Sequence, residues 1–228
     1  MKAETTFKDR KAAGKALAQR LAGMNLADPV VLALPRGGVP VGAEIAETLQ
    51  APLDLVLVRK IGVPYQPELA AAAVVDGGDA EIVVNDEVMR LAGITDEYIQ
   101  AEAKTELLEI ERRRHIYLEG RPRVPIENRT LILVDDGIAT GASIRAAIAA
   151  LRRKHPKKLI VAVPVAPLDT VAKLGSSVDE VICLEIPDPF YAIGMHYDDF
   201  HQVPDDEVIE LMNEAARDEA HVGSQNPP

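Results

Sequence analysis

Two adjacent acidic residues, Asp135 and Asp136, follow the apolar run at 131–134, and mostly small residues complete the stretch LILVDDGIATGAS. In an open parallel sheet, ligands bind where strands end, and carboxylates there accept hydrogen bonds from hydroxyl groups or hold a metal ion. Glycines at 137 and 141 let the backbone approach a ligand closely and adopt positive φ. The N–H groups that start the following helix form an anion site. The stretch therefore predicts a sugar-phosphate site, with ring hydroxyls on the acids and phosphate on the amides.

The same stretch differs from two common phosphate-binding motifs. It lacks the Gly-Lys-Ser/Thr ending of a Walker A loop and the spacing of a G-x-G-x-x-G dinucleotide motif. Thr140 and Ser143 add hydroxyl donors beside the predicted amide site. A structural alternative stays open, because Asp and small residues also favour turns that merely start a helix. Four apolar residues, two acids and a run of small residues together favour the ligand site.

Apolar runs that alternate with helical patterns place this motif in an α/β fold. The runs are nearly continuous, as in strands covered on both faces of a parallel sheet, and they predict strands at 30–34, 53–58, 131–134, 158–165 and 181–184. Apolar residues with helical spacing predict helices at 7–24, 39–50, 142–153 and 168–174. Right-handed crossovers join such elements into a parallel sheet flanked by helices.

About seventy residues separate Val58 from Thr130, far more than a crossover needs. Within them, the runs ELAAAAVV and EIVVN flank DGGDA, which predicts a β-hairpin. A long helix is predicted at 95–118, with Thr95 as its N-cap. The insertion at 62–125 is therefore expected to lay a hairpin and a helix over one edge of the sheet.

The composition of the chain limits the class of protein. Of the 228 residues, 47% are hydrophobic and 27% are charged, which predicts one globular domain over 1–228 with a loose tail at 219–228. A net charge of −11 argues against a nucleic-acid partner. Neither a membrane span nor an apolar secretory signal is expected. Cys183 is the only cysteine, which predicts a reducing, cytoplasmic location.

The stretch LILVDDGIATGAS resembles the motif with which type I phosphoribosyltransferases bind 5-phosphoribosyl 1-pyrophosphate (PRPP). LALPRGGVPVG at 32–42 resembles their pyrophosphate-binding loop after the first core strand, and VRKIGVP at 58–64 resembles their basic segment after the second. The similarity extends from about 7 to 212 and is to a bacterial subgroup of predicted phosphoribosyltransferases whose acceptor is not generally assigned.

This resemblance implies roles for particular residues. Asp135 and Asp136 would hold the ribose hydroxyls of PRPP, and they would hold Mg2+ through water between pyrophosphate and ribose oxygens. The loop that cradles the 5-phosphate would consist of Ala139, Thr140, Gly141, Ala142 and Ser143. The pyrophosphate would contact Arg36, Gly37, Gly38 and Lys60.

The implied activity is transfer of a 5-phosphoribosyl group between PRPP and a nitrogenous acceptor, a nucleobase by family resemblance, with pyrophosphate as the other product. The resemblance also implies a homodimer, and the insertion at 62–125 is the candidate lid. Ala139 stands where some purine-salvage members carry an acid, so the sequence does not assign the base. The alternative is a regulatory protein that senses PRPP or nucleotides without turnover. Arg36 and Lys60 favour the enzyme.

Aromatic residues concentrate at 187–207, which we call the hood and which includes Phe190 and Tyr191. Aromatic faces stack on planar bases, so these two rings are candidates for the acceptor side. Rings in such a segment can equally cover an exposed edge of the core, and both interpretations stay open.

Two charged clusters favour ordinary structural interpretations. Arg112, Arg113 and Arg114 lie near the predicted end of the long helix, where cations are favourable and where Glu109 can pair with Arg113. The hood also contains two histidines and two aspartates, but their spacing does not predict a dedicated metal site; they are His196, Asp198, Asp199 and His201.

Overall fold

The computed structural model describes residues 7–76 and 80–225 of the chain. A five-stranded parallel sheet forms its centre, with the strands in the spatial order Leu53–Leu55 (β2), Pro29–Ala33 (β1), Thr130–Val134 (β6), Lys158–Val165 (β7) and Glu180–Glu185 (β8). The helices that alternate with these strands are Arg10–Ala22 (α1), Gly38–Leu49 (α2), Ala142–Arg152 (α5) and Leu168–Gly175 (α6). The predicted α/β fold with a parallel sheet is confirmed.

The centre of the sheet is apolar on both faces because residues alternate sides along each strand. On β6, Leu131 and Leu133 pack into one buried cluster, whereas Ile132 and Val134 pack into another. Ala33 at the end of β1 pairs with Val134 at the end of β6. The loops that follow these two strands therefore leave the sheet side by side, at its carboxyl edge.

An antiparallel sheet stands beside the central one and corrects one predicted strand. It consists of Leu57–Val63 (β3), Gln66–Asp76 (β4) and Ala80–Val84 (β5). The single strand predicted at 53–58 was wrong, because the chain leaves the central sheet after Val56, whose amide donates to the Ala33 carbonyl at 3.0 Å. A continuous apolar run predicts that residues before and after Val56 are extended, but it does not show that they pair with strands of different sheets.

The predicted hairpin is confirmed by the antiparallel pairing of β4 with β5, although its turn residues 77–79 lie outside the described residues. The long helix is also confirmed as Asp96–Leu118 (α4), and the Thr95 hydroxyl accepts a 3.3 Å hydrogen bond from the Tyr98 amide as its N-cap. A short helix, Asp86–Ala92 (α3), joins the two and was not predicted.

The C-terminal helix, Asp205–Gln225 (α7), was also missed. Its apolar residues pack into the core cluster beside α2 and α4; they include Val208, Leu211 and Met212. The helix extends to Gln225, within the tail predicted to be loose at 219–228, and residues 226–228 lie outside the described ones. None of the helices described is both long enough and apolar enough to cross a bilayer.

The three arginines near the end of α4 have different partners. Arg112 and Arg113 pair with Glu109 at 2.7 and 2.6 Å, as expected for cations near a helix C-terminus. Arg114 instead reaches into the protein and lies 3.2 Å from both Asp54 and Asp76. The interpretation of all three as cations that stabilise the helix C-terminus is therefore incomplete for Arg114, which pairs with two buried aspartates.

Candidate active site

The loop after β1 packs directly on the two acids after β6, Asp135 and Asp136, which we call the acid pair. A Cβ atom added at Gly37 would overlap the Asp136 carboxylate, and one added at Gly38 would lie 2.8 Å from the Val134 carbonyl oxygen. Glycine is therefore required at both positions by the close approach of the two loops. The structure thus brings the predicted pyrophosphate and ribose segments together.

Each acid uses one carboxylate oxygen within the protein. Asp135 Oδ1 accepts a 2.9 Å hydrogen bond from the Asp136 amide, and Asp136 Oδ2 accepts a 2.8 Å hydrogen bond from Arg10 Nε. Across residues 7–76 and 80–225, no main-chain amide or cationic side chain contacts Asp135 Oδ2 or Asp136 Oδ1, although the two carboxyl groups also share a side-chain hydrogen bond. Asp135 is partly exposed, and 12% of the Asp136 side chain is exposed, so a ligand can reach the acid pair.

The environment of the acid pair favours a negative charge on Asp136 over one on Asp135. Although part of its surface reaches solvent, Asp135 is packed among protein atoms; this burial, and then the charge of Asp136, raise the pKa of Asp135 well above its ordinary value. Burial also raises the pKa of Asp136, but the Arg10 guanidinium opposes that effect. Raised pKa values in a ligand-accessible carboxylate pair are typical of functional sites.

The predicted phosphate loop, residues 139–143, is open and has its carbonyl groups held in place. Gly141 has φ 72°, in the left-handed region, and ends the loop as the N-cap of α5. Thr170 Oγ1 donates to the Ala139 carbonyl at 3.1 Å, and Arg145 Nη1 donates to the Thr140 carbonyl at 2.7 Å. Within the part of the chain that is described, no acceptor contacts the loop's amides. These amides are therefore available to bind an anion at the start of α5, as predicted for the phosphate.

Gly137 has a different neighbour from the one predicted. A Cβ atom added there would lie 2.6 Å from Cγ2 of Ile193, in the short 3-10 helix Ile193–His196 of the hood. The small residue at 137 therefore admits the hood rather than a ligand.

The basic residues predicted for the pyrophosphate occupy two places. Arg36, between β1 and α2, is partly exposed, and its Nη1 lies 3.5 Å from Asp205 Oδ1 at the start of α7. Tyr117 fixes this carboxylate by donating to it at 2.7 Å. Lys60 is exposed on β3, and among the described residues no hydrogen bond or ion pair joins it to the loop of Arg36.

The aromatic rings of the hood differ in what they pack against. Tyr197 is buried and Phe200 lies against Arg10, so both serve to anchor the segment. Phe190 stacks on His196 with ring centroids 6.0 Å apart. Tyr191, by contrast, is 74% exposed, which leaves it as the hood ring best able to meet a ligand. The alternative of core cover thus applies to Tyr197, and the acceptor role predicted for Phe190 and Tyr191 stays a prediction.

Arg10 and Asp205 are the site residues that sequence reasoning missed. Arg10 lies 126 positions before its partner Asp136, and Asp205 lies 169 positions after Arg36. Neither belongs to a recognisable motif. The signal that could have indicated them is indirect. A buried acid needs a positively charged partner, but only the packing of α1 and α7 shows which residues form the pairs.

Comparison with known proteins agrees with this arrangement. Residues 5–199 match the family model described as the phosphoribosyl transferase domain. Two curated sequences from Mycobacterium tuberculosis, strains CDC 1551 and H37Rv, are 46% identical over 218 residues; one is named "Putative phosphoribosyl transferase Rv0571c". The match covers 96% of this chain, but the chain spans only 49% of the length of these relatives.

A solved structure supports the fold over nearly the whole molecule. The crystal structure of TT1426 from Thermus thermophilus is 42% identical and superimposes with a TM-score of 0.80. The alignment covers 91% of this chain and 98% of that one. Since the family model covers most of the sequence and includes the acid pair with both neighbouring loops, the chain belongs to the phosphoribosyl transferase family.

Proposed function

We propose that this protein transfers a 5-phosphoribosyl group between PRPP and a nitrogenous acceptor of the nucleobase class. The observation that carries this proposal is the contact of Gly37 and Gly38 with the acid pair, next to an open phosphate loop. One ligand that carries a phosphate, two ring hydroxyls and a pyrophosphate can satisfy all three parts of the site. PRPP has these groups in the required order.

The chain supplies charges where the reaction needs them. As the C1–O bond to pyrophosphate breaks, positive charge develops on the ribose ring and negative charge on the leaving group. In the proposed complex, the carboxylates of Asp135 and Asp136 would stabilise the positive charge on the ribose, and Arg36 would stabilise the negative charge on the leaving group; their contacts within the protein leave these groups available for this role. Fixed charges of this kind lower the barrier without a covalent nucleophile. The acceptor nitrogen forms the new bond to C1 and releases its proton.

Mg2+ is the cofactor that we propose for the site. Among the described residues, no group of three or more His, Cys, Asp or Glu side chains could hold a metal ion. Mg2+ does not need such a group, because it is commonly bound by one or two carboxylates together with water and substrate phosphates. Asp135 and Asp136 would hold Mg2+ through water, and bound Mg2+ would neutralise the pyrophosphate.

The proposal is tested by incubating the protein with PRPP, Mg2+ and a panel of purine and pyrimidine bases. We expect pyrophosphate release that depends on at least one base, and a reaction without base measures background hydrolysis. Release that is the same with and without every base would contradict the transfer reaction. PRPP binding by calorimetry without any turnover would favour the regulatory alternative, and no binding would exclude both.

The contact between Thr170 and the phosphate loop yields a separate prediction. Thr170→Val keeps the shape of a buried side chain but removes the hydrogen bond to the Ala139 carbonyl. Without this bond the loop is less ordered before the phosphate binds, and an ordering cost of about 1 kcal/mol would make ribose 5-phosphate bind roughly fivefold more weakly. Ser176→Ala is a matched control, because its hydroxyl donates to Lys173 at the other end of α6. Equal affinities of the two variants for ribose 5-phosphate would contradict the role given to Thr170.

A further inference from the structure

Arg10, the first residue of α1, is a buried cation that joins three groups at the acid pair. Only 7% of its surface is exposed. Its Nε donates to Asp136 Oδ2 at 2.8 Å, and its Nη1 donates to the main-chain carbonyl of His201 at 2.8 Å. Its guanidinium carbon lies 3.9 Å from the centroid of the Phe200 ring. Asp136 is its carboxylate partner, whereas His201 and Phe200 belong to the hood.

Tyr197 makes a second link between the hood and Asp136. Its hydroxyl donates to the main-chain carbonyl of Asp136 at 2.6 Å. Burial raises the pKa of this hydroxyl, so it remains a donor at neutral pH. The ring packs between Phe7 and Phe200, with centroid distances of 5.5 and 5.0 Å. The hood therefore holds both the side chain and the backbone of Asp136.

Phe7 and Lys8, just before α1, pack with the hood as one unit. The Phe7 amide donates to the His196 carbonyl at 3.0 Å, and the Asp198 amide donates to the Phe7 carbonyl at 2.9 Å. The Asp199 amide donates to the Lys8 carbonyl at 2.9 Å. Arg10 therefore follows a segment that is hydrogen-bonded to the hood, which fixes the position from which its side chain contacts Asp136.

We infer that Arg10 is a positioning residue that seats the hood on the site and holds Asp136 so that Oδ1 faces the ribose hydroxyls. This inference rests on the proposed function. Arg10 keeps the contact when PRPP binds, because withdrawal would leave a buried guanidinium without its charge partner. The ligand consequently uses Oδ1, and Oδ2 stays with Arg10.

The inference predicts that loss of Arg10 weakens binding of the ribose but not binding of the pyrophosphate, and this difference can be tested. Pyrophosphate has no ribose, so in the absence of Mg2+ its binding at Arg36 does not require the ribose contact of Asp136. Calorimetry without Mg2+, with either PRPP or pyrophosphate, therefore compares wild type with Arg10→Gln and Arg10→Lys. Arg20→Met is the matched control, because Arg20 is exposed on the same helix.

We expect Arg10→Gln to weaken PRPP binding about tenfold or more while pyrophosphate binding stays unchanged, as for residues that orient ligand-binding groups elsewhere. Arg10→Lys should recover part of the loss, since an ammonium can pair with Asp136 but lacks the planar fork that also reaches His201. Arg20→Met should match wild type with both ligands. Thermal melting followed by circular dichroism establishes that each variant is folded at the assay temperature.

Two results would contradict the role of Arg10 without touching the proposed function. One is that folded Arg10→Gln binds PRPP as tightly as wild type. The other is that its affinities for PRPP and for pyrophosphate fall by the same factor, which would indicate a general structural effect. If Arg10→Gln does not fold, the same test is made with Arg10→Lys, by comparing its loss of affinity for PRPP with its loss of affinity for pyrophosphate. A wild-type protein that binds no PRPP would instead refute the proposed function, and the role of Arg10 with it.

Discussion

Asp135→Asn is expected to slow phosphoribosyl transfer by about a hundredfold to a thousandfold while raising the temperature at which the protein unfolds. The rate falls because a neutral amide cannot stabilise the positive charge on the ribose ring, and loss of one preorganised group of this kind costs about 10²–10³ in rate. The fold persists because asparagine keeps an oxygen that can accept the 2.9 Å hydrogen bond from the Asp136 amide.

The gain in stability follows from the raised pKa of Asp135. Ionising a carboxyl whose pKa is raised by folding destabilises the native state. This cost begins as pH rises above the unfolded-chain pKa of about 3.9 and is complete above the folded-state pKa. Each pH unit by which folding raises the pKa corresponds to about 1.4 kcal/mol, and each kcal/mol moves the melting temperature of a chain this long by about 2–4 °C.

The predicted sign of the stability change is checked by thermal unfolding of wild type and Asp135→Asn, measured without PRPP or Mg2+ from about pH 4 to about pH 8. The variant's advantage should be small at the acid end and should grow towards neutral pH. Asp136→Asn is the informative comparison, because the Arg10 guanidinium opposes the rise in the pKa of Asp136. We expect that variant to lose activity and to gain less stability than Asp135→Asn. An Asp135→Asn protein that melts below wild type at neutral pH would contradict the argument.

The parts of this site that lie close together in the sequence could be predicted from it. Strand, acids and small residues in LILVDDGIATGAS follow one another, so their chemistry and their place at the carboxyl edge of β6 are readable from local pattern. Gly37 and Gly38 were predicted as ligand contacts. The structure adds that they also touch the acid pair, which depends on the pairing of β1 with β6.

The parts that depend on packing could not be predicted. Val56 continues an apolar run without interruption, yet the chain changes sheets there. Arg10 occupies an unremarkable position at the start of a helix, and its role appears only when α1 lies beside the hood. Burial of a charge is decided by which surfaces meet, and one sequence carries no direct record of that contact.

Arg114 illustrates the same limit and lies in the largest buried ionic network of the described residues. Its guanidinium donates to Asp54 on β2 and to Asp76 on β4. Asp76 also pairs with Arg123, and Asp54 Oδ2 accepts the Val124 amide at 3.0 Å. Each step along a helix turns the side chain by about 100°, so Arg114 faces inward although the arginines before it face Glu109. The network joins α4 and the chain that follows it to both sheets.

Arg114→Met is therefore expected to destabilise the protein by about 3–5 kcal/mol, because Asp54 and Asp76 stay buried with too little positive charge. Thermal or urea unfolding measures this loss. Arg112→Met is the matched control: it removes an arginine two positions away whose ion pair is exposed, and the midpoint should stay close to wild type. Equal midpoints for the two variants would show that the network contributes no more than a surface pair.

A second substitution distinguishes an excess of buried charge from simple loss of packing. Adding Asp54→Asn to Arg114→Met removes one of the two uncompensated carboxylates, while the amide oxygen can still accept from Leu55 or Val124. We expect the double variant to be more stable than Arg114→Met alone, although Asp54→Asn by itself should destabilise. Additive losses in the double variant would mean that packing, rather than charge balance, holds α4 in place.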